Sequence, residues 1–369
     1  MKNSRRNFLK TASAASLLTT VAGPVSLNNI FRSKEKLGIA LVGMGYYSGD
    51  ELAPALQQTE HCYMAGFVTG TPEKEKIYGE KYNIPAKNIY NYENFDSVAE
   101  NEDIDIIYVV LPNSMHKEFT IRAARAGKHV ICEKPMAMNA AECREMIAVC
   151  DEEDVHLSIG YRLHYEPYTQ KIMEITENKT YGDIRFVNVG AGFGMRRNPN
   201  HWKLKEEYGG GALMDMGVYP IQATRYGTGL EPVAVSAQKF APDVPSYSTV
   251  DETTTFQLKF PGDIIANGMT TFAGNVNYLK INADKGQYGL DPFSWYSGLH
   301  GFTPEGAFDF PKMNQQAAQM DAMAIAIKEN RPSRTPGEEG LRDMIIIDAI
   351  NESVKNGGKT ISIEGFASI

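Results

Sequence analysis

The sequence predicts an α/β protein in two parts: a doubly wound parallel sheet, then an α+β domain built on a large antiparallel sheet. Three observations carry this. Between Leu37 and about residue 160, short apolar runs alternate with segments of helical period, the βαβ texture of a parallel sheet. Past Tyr161 the runs take on period two and are separated by Gly, Pro, Asn and Asp, as antiparallel strands are. With 369 residues, 43% of them hydrophobic, the chain can bury one large core or two smaller ones without disulfide or metal staples. The expected divisions are residues 1–36 as leader and short arm, 37–160 as the first domain and 161–369 as the second.

Gly38–Val42 is an apolar run closed by a glycine-rich turn, and Gly49–Gln57 follows with helical period. Cys62–Val68 reads as a strand and Pro72–Tyr82 as a helix. The runs Ile106–Leu111 and His129–Cys132 flank the helix Ser114–Ala126, stopped by Gly127. Asn139–Glu153 is helical and Val155–Gly160 a further strand. In the second part, the helix Pro167–Asn178 leads into strands at Ile184–Gly190, Val233–Phe240, Thr253–Phe260, Ile264–Phe272 and Tyr278–Ala283. A helix at about Gly211–Tyr226 interrupts them. Two helices, Asn314–Asn330 and Gly337–Asn356, end the chain and are expected to pack back on the first domain.

Lys plus Arg total 37 against 45 Asp plus Glu, a net charge of −8. An acidic chain without a basic stripe makes a poor partner for nucleic acid or an anionic membrane. Cys62, Cys132, Cys143 and Cys150 show neither CxxC nor Cys/His metal spacing, so buried thiols are expected and no metal. Ser4-Arg5-Arg6-Asn7-Phe8-Leu9-Lys10 forms a twin-arginine leader pattern, followed over residues 11–22 by a weakly apolar stretch too short to span a bilayer. It implies the twin-arginine export machinery as a partner and a periplasmic location for a protein exported folded.

Gly43-Met44-Gly45-Tyr46-Tyr47-Ser48 follows the first strand and opens a helix. Paired glycines permit a tight turn and close approach of backbone to a pyrophosphate, while the helix N-terminus offers N–H donors. Ser48 stands where the fingerprint has its third glycine. The second strand ends Val68-Thr69-Gly70-Thr71, followed by Glu73, Lys74 and Lys76. NAD enzymes place an acid at this strand tip for the ribose hydroxyls. Its absence, with Thr69 and Gly70 there and Lys74 and Lys76 beyond, favours a 2′-phosphate, so NADP is expected ahead of NAD.

Leu111-Pro112-Asn113-Ser114-Met115-His116 and Cys132-Glu133-Lys134-Pro135 each end a parallel strand, where open α/β sheets bind ligands. Leu111, Pro112, Asn113, His116, Glu133 and Lys134 are therefore cofactor-side candidates. Gly209-Gly210-Gly211 then starts a helix carrying Asp215 and Tyr219 at i, i+4, which puts a carboxylate and a phenol on one face.

Together these segments resemble the glucose–fructose oxidoreductase, inositol dehydrogenase and related sugar dehydrogenase (Gfo/Idh/MocA) family, most of all its glucose–fructose oxidoreductase branch. The likeness runs from about Leu37 to the end. It takes in Val68-Thr69-Gly70, Leu111-Pro112-Asn113-Ser114, Ala126-Gly127-Lys128-His129-Val130, Glu133-Lys134-Pro135-Met136-Ala137, Gly160-Tyr161-Arg162-Leu163-His164-Tyr165, the Gly209–Tyr219 segment and Ser333-Arg334-Thr335-Pro336-Gly337-Glu338-Glu339-Gly340. The resemblance implies that Lys134 lies beside the nicotinamide and the reacting carbon. It gives Tyr219 the catalytic position that many relatives fill with His, and Asp215 a sugar hydroxyl to hold. Arg162, His164 and Tyr165 would face the sugar or the nicotinamide end. Trp202 and Lys203 match a Trp-Arg pair that contacts cofactor, although Lys203 lacks the planar fork. The branch also carries a long proline-rich arm that helps to retain NADP; here only about Gly23–Lys36 is available, with Pro24 its sole proline.

Three functions compete. One is transfer of hydride from an aldose, oxidised at its anomeric carbon to a lactone, through retained NADP to a second carbonyl compound. Another is an ordinary NAD(P)-dependent aldose or polyol dehydrogenase with exchangeable cofactor. The last is an NAD-assisted glycosidase, against which Lys134 and the Asp215/Tyr219 pair speak. Selectivity for the sugar is expected in the loops Gly192–Trp202 and Phe293–Phe302, and the resemblance, with an exposed large sheet, implies a homodimer or homotetramer.

Overall fold

The computed structural model describes residues 34–195 and 198–366. The twin-arginine pattern and residues 11–22 lie outside the described residues.

Leu37–Val42 (β1) is buried at every position, as a strand covered on both faces must be. It sits at the centre of a six-stranded sheet with Cys62–Val68 (β2), Ile89–Tyr90 (β3), Ile106–Val109 (β4), His129–Cys132 (β5) and Leu157–Ile159 (β6). The order is β3-β2-β1-β4-β5-β6, and every neighbouring pair is parallel. The chain reverses its direction of winding between β1 and β4, which opens the crevice where such sheets take ligands. The two-residue β3 is too short to register as a period in the sequence.

The helices are Ala53–Leu56 (α1), Pro72–Tyr82 (α2), His116–Arg125 (α3) and Ala140–Glu152 (α4). Asn139 caps α4 by accepting from Glu142 N at 3.0 Å, so the expected start at Asn139 is the cap itself. The glycine turn enters α1 through a wider π-turn, Tyr47–Leu52. The extra residue shifts the expected fingerprint. Ser48 is buried with its Oγ donating to Gly43 O at 2.5 Å, and the close approach falls one residue later, at Gly49, where a Cβ would lie 2.2 Å from Tyr78 Oη.

After Pro167–Glu177 (α5) comes the second sheet: Ile184–Gly192 (β7), Ala234–Phe240 (β8), Thr253–Lys259 (β9), Ile265–Thr271 (β10), Val276–Ala283 (β11), Gly286–Leu290 (β12), Gly301–Thr303 (β13), Gly306–Phe308 (β14) and Ile361–Ser362 (β15). The order is β14-β13-β12-β11-β7-β10-β9-β8-β15. Its pairs are antiparallel except β7–β10, which is parallel over Phe186–Gly192. The connection from β7 to β8 crosses through helices, so β8 runs with β7, and the β8–β9–β10 meander lays β10 alongside it. Strands β12 to β15 escape a sequence reading because they are short and three of them begin at glycine.

The connection holds Ala212–Met216 (α6) and Val218–Thr228 (α7), two helices where one was expected, meeting at Gly217. Of the C-terminal helices, Gln315–Glu329 (α8) packs on the π-turn, α1 and β2. Gly337–Lys355 (α9) lies between α4 and β6 on one side and β8 on the other. The segment before α9 also joins the first sheet's edge, Ile159 N donating to Thr335 O at 2.8 Å.

Candidate functional site

The glycine turn has the shape a dinucleotide needs. Gly43 has φ +94°, and a Cβ there would stand 2.4 Å from Val110 O, so only glycine lets β1 turn against the end of β4. Gly45 has nothing within 4 Å of where its Cβ would be, leaving open space above its backbone for a pyrophosphate. Lys74 Nζ reaches back from α2 and donates to Met44 O at 2.7 Å, which brings a cation to the turn at the mouth of β2. Lys76 and Thr71 are exposed beside it. Thr69 is buried, its hydroxyl accepting from Thr71 N at 3.3 Å, so it shapes the strand tip rather than facing outward. Tyr46 is 70% exposed; Tyr47 turns inward. These residues fit a bound dinucleotide, with Lys74 and Lys76 as cations near the tip of the second strand.

The chemistry-bearing side chains meet at the end of β5. Lys134 Nζ donates to Asp215 O at 2.8 Å, lies 3.8 Å from Asp215 Oδ1, and stands 4.8 Å from the Tyr219 ring centroid. Asp251 sets this geometry by accepting from Leu213 N at 3.0 Å at the start of α6, which fixes where Asp215 and Tyr219 emerge. Burial pulls Lys134 and Tyr219 toward their neutral forms, but the surrounding charges prevail. Tyr219, Asp215 and Glu133 hold the Lys134 ammonium above its ordinary value. Lys134 and Arg162 hold the Tyr219 phenol below its own. Burial likewise works against the Asp215 carboxylate, and Lys203 with Lys134 overcomes it, keeping that group below the usual carboxylate range.

Behind Lys134, Glu133 is buried and accepts from Tyr108 Oη at 2.7 Å, which in turn accepts from Gln319 Nε2 at 2.7 Å. Burial pushes the Glu133 carboxyl up. Above the cluster, Arg162 spends its fork on protein: Nη1 donates to Trp295 O at 3.2 Å and to Gln315 Oε1, and Nη2 donates to Ser294 O at 2.5 Å and Tyr219 Oη at 3.5 Å. Its guanidinium also covers the Tyr296 ring at 4.5 Å.

Several expected site residues lie elsewhere. His116 is wholly buried with Nε2 2.8 Å from Leu111 O and Nδ1 2.9 Å from Pro135 O; it braces the two strand-end loops from beneath. Asn113 is buried too and donates to Gly209 O at 2.7 Å, tying Leu111-Pro112-Asn113 to the glycine triplet. His164 packs edge-on against Tyr226, ring centroids 4.8 Å apart, and burial pushes its imidazole down to about 4. Tyr165 Oη bonds Thr335 Oγ1 at 3.0 Å under the C-terminal segment. Neither touches the Lys134–Tyr219 cluster among the contacts of the described residues. A short turn of 3₁₀ helix, Arg162–Tyr165, carries all three side chains, and they meet different partners: Arg162 the loop after β12, His164 Tyr226 and Tyr165 Thr335. Lys203, expected at the cofactor, has its Nζ paired with Asp215 Oδ2 at 2.7 Å and 5.7 Å from the Trp202 ring. It thereby joins the Lys134–Asp215 cluster.

Residues the sequence did not single out complete the site: Gln315 and Gln319 enter from α8 and Tyr108 from β4. Ser294, Trp295 and Tyr296 join them from the loop after β12, within the stretch Phe293–Phe302 to which the sequence pointed. The sequence signal for the glutamines is polarity inside an otherwise apolar helix, at Gln315, Gln316 and Gln319, all buried.

Residues 37–161 match the oxidoreductase family with NAD-binding Rossmann fold, and residues 169–288 match the GFO/IDH/MocA C-terminal domain. The crystal structure of aldose–aldose oxidoreductase from Caulobacter crescentus, complexed with glycerol, is similar at TM-score 0.85 and 38% identity, covering 89% of this chain and 99% of that one. D-xylose 1-dehydrogenase [NADP(+)] from Haloarcula marismortui is 28% identical over 332 residues, 85% of this chain and 90% of its own. A 3-ketoreductase from Actinomadura kijaniata shares the fold at TM-score 0.76 and 21% identity, over 86% of this chain and 98% of that one. On these matches, and with the glycine turn and the Glu133-Lys134-Pro135 motif in place, the chain belongs to the Gfo/Idh/MocA family of oxidoreductases.

Proposed function

We propose that the protein oxidises an aldose at its anomeric carbon to the lactone and returns the hydride, through an NADP that stays bound, to a second carbonyl compound. The observation that carries the chemistry is Lys134 held between the Asp215 carboxylate and the Tyr219 ring, at the strand ends facing the glycine turn. Nicotinamide, when bound, supplies the acceptor and then the donor of hydride. Tyr219, with its pKa held down, takes the proton of the sugar hydroxyl as the C–H bond breaks and the carbonyl forms. It gives the proton back when the second substrate is reduced. Lys134 keeps its charge throughout and stabilises the phenolate and the oxygen that bears the developing charge. Asp215, pinned by Lys203 and Lys134, offers an acceptor for a neighbouring sugar hydroxyl.

Two relatives support the substrate side of this reading. One is named for aldose–aldose oxidoreduction, and the other for NADP-linked oxidation of D-xylose at carbon 1. The second also favours the simpler alternative, an aldose dehydrogenase whose NADP exchanges freely. Compartment supports retention: we infer that the twin-arginine leader delivers the folded protein to the periplasm, where no pool of NADP replaces a lost molecule. We also infer a homodimer or homotetramer through the open face of the second sheet, which carries an amide ladder, Gln257 to Asn267 at 3.0 Å and Asn267 to Asn188 at 3.1 Å, beside the exposed Phe186.

Natively purified protein should carry NADP by mass spectrometry. A donor sugar alone should reduce it once, and a keto or aldehyde acceptor should restart turnover with parallel double-reciprocal lines. Cofactor-free protein that turns over on added NADP instead supports the ordinary dehydrogenase.

A further inference from the structure

The loop after β12 reaches across to the first domain at the glycine turn. Tyr296 stacks on Tyr47, ring centroids 6.0 Å apart and planes 30° from parallel, and Tyr47 stands two residues past Gly45. The same loop is held from two more sides. Arg162 lies over the Tyr296 ring and bonds the carbonyls of Ser294 and Trp295, and Gln315 Nε2 donates to Trp295 O at 3.2 Å. Asn277 Oδ1 accepts from Phe293 N at 2.8 Å and Ser294 N at 3.0 Å, so the loop is anchored on its own domain as well. A segment this firmly bonded at the backbone, yet presenting an aromatic ring to the dinucleotide turn, is built to hold one position.

We propose that Tyr296, clamped by Arg162 and stacked on Tyr47, is a clasp that retains the dinucleotide. It rests on the reading that the cofactor stays bound, and it supplies a means other than a long N-terminal arm. A dinucleotide lying along the Gly43–Gly45 turn passes the Tyr47 backbone on its way to Lys134, and release requires the two domains to part there. Parting breaks the Tyr47–Tyr296 stack, while Arg162, on the same side as the loop and bonded to it, keeps the Tyr296 ring ordered for that stack. Tyr296 is a positioning residue in this scheme; it acts on the lifetime of the complex and takes no part in hydride transfer.

The test is a chase on the full-length protein. It is loaded with NADPH, desalted, and mixed with excess NADP while the fluorescence of bound NADPH is followed. Tyr296→Ala should release NADPH about tenfold faster than the parent, the loss expected of a ring stack whose ring a cation–π contact holds in place. Tyr296→Phe keeps the ring over Arg162 and should stay within about threefold of the parent rate. Thermal melts of the cofactor-free proteins separate this from a general loss of fold, and Tyr296→Leu serves where the alanine variant does not fold. Parent and Tyr296→Ala releasing at the same rate overturns the clasp. A parent that exchanges within seconds overturns cofactor retention instead, and the ratio of rates still decides the clasp.

Discussion

Arg225, buried, and Lys134, half-buried, both face carboxylates and a tyrosine, and they end in opposite states. Arg225 donates to both oxygens of Glu231 at 2.7 Å, to Asp343 Oδ1 at 2.9 Å, and pairs with Glu339 at 3.1 Å. Asp343 receives a further bond from Gln222 at 2.7 Å. Lys134 makes one short hydrogen bond, to a backbone carbonyl, and faces its carboxylate at 3.8 Å and a ring at 4.8 Å. An ammonium has three donors, and among the described residues the short hydrogen bond of Lys134 is the one to Asp215 O. A saturated network fixes helices α7 and α9 against each other. The sparser one lies at strand ends beside a glycine cradle, where the proposed reaction places the substrate.

The contrast can be broken first on the scaffold side. Arg225→Met leaves the buried Asp343 with Gln222 alone, while Glu231 and Glu339 keep Arg342, and should cost about 3–5 kcal/mol of stability in urea denaturation, whereas Arg225→Met with Asp343→Leu should recover part of it. Lys134→Met should leave stability within about 1 kcal/mol, since Asp215 still pairs with Lys203, and lower kcat at least about a hundredfold, roughly 2.7 kcal/mol of transition-state stabilisation. A Lys134→Met protein that turns over within a few-fold of the parent removes Lys134 from the chemistry.

Tyr219→Phe deletes one hydroxyl and little volume. NADP binding should persist while hydride transfer drops about tenfold to a hundredfold in single-turnover measurements.

The two regions should also titrate on opposite flanks. At the site, activity should rise with pH through the lowered Tyr219 value, and that limb should move upward in Lys134→Met. In the scaffold, burial pushes His164 down to about 4 and His129 to about 3. Between those values and about 6.5 the unfolded chain binds the extra protons, so this stability is complete above 6.5 and drains as pH falls. Asp343 acts the other way: burial raises it to about 6, so its contribution is complete below about 4 and is lost as pH rises through 6. His116 and His156, also pushed down by burial, and Asp215, held down by Lys203 and Lys134, add to the loss on acidification, while Glu133, Glu166 and Asp348, pushed up by burial, act with Asp343. The expected balance is a lower denaturation midpoint at pH 4.5 than at pH 7. The smallest effect is expected at the exposed Thr71. Thr71→Asp sets a carboxylate where the 2′-phosphate would lie and should shift the NADP-to-NAD affinity ratio about tenfold toward NAD, checked by fluorescence titration.

Much of this was legible in the chain itself. Apolar runs such as Leu37–Val42 and the glycine punctuation after them determine a parallel sheet, because a strand buried on both faces has no polar position to offer. Lys134, Asp215 and Tyr219 were visible as chemistry because their motifs fall at strand ends and at helical spacing. What only the tertiary structure decided is which polar residues keep their capacity. His116, His164 and Tyr165 looked equal to Arg162 in sequence, yet two are buried braces and one packs against Tyr226. Lys203 pairs with Asp215, the glycine contact moved from Ser48 to Gly49 through one π-turn, and Gln315, Gln319 and Tyr296 arrived from more than 130 residues away along the chain, counted from Arg162 or Tyr108. Sequence period reports which face of an element is buried. It does not report what is opposite, and for a polar side chain the partner opposite settles whether it is scaffold or reagent.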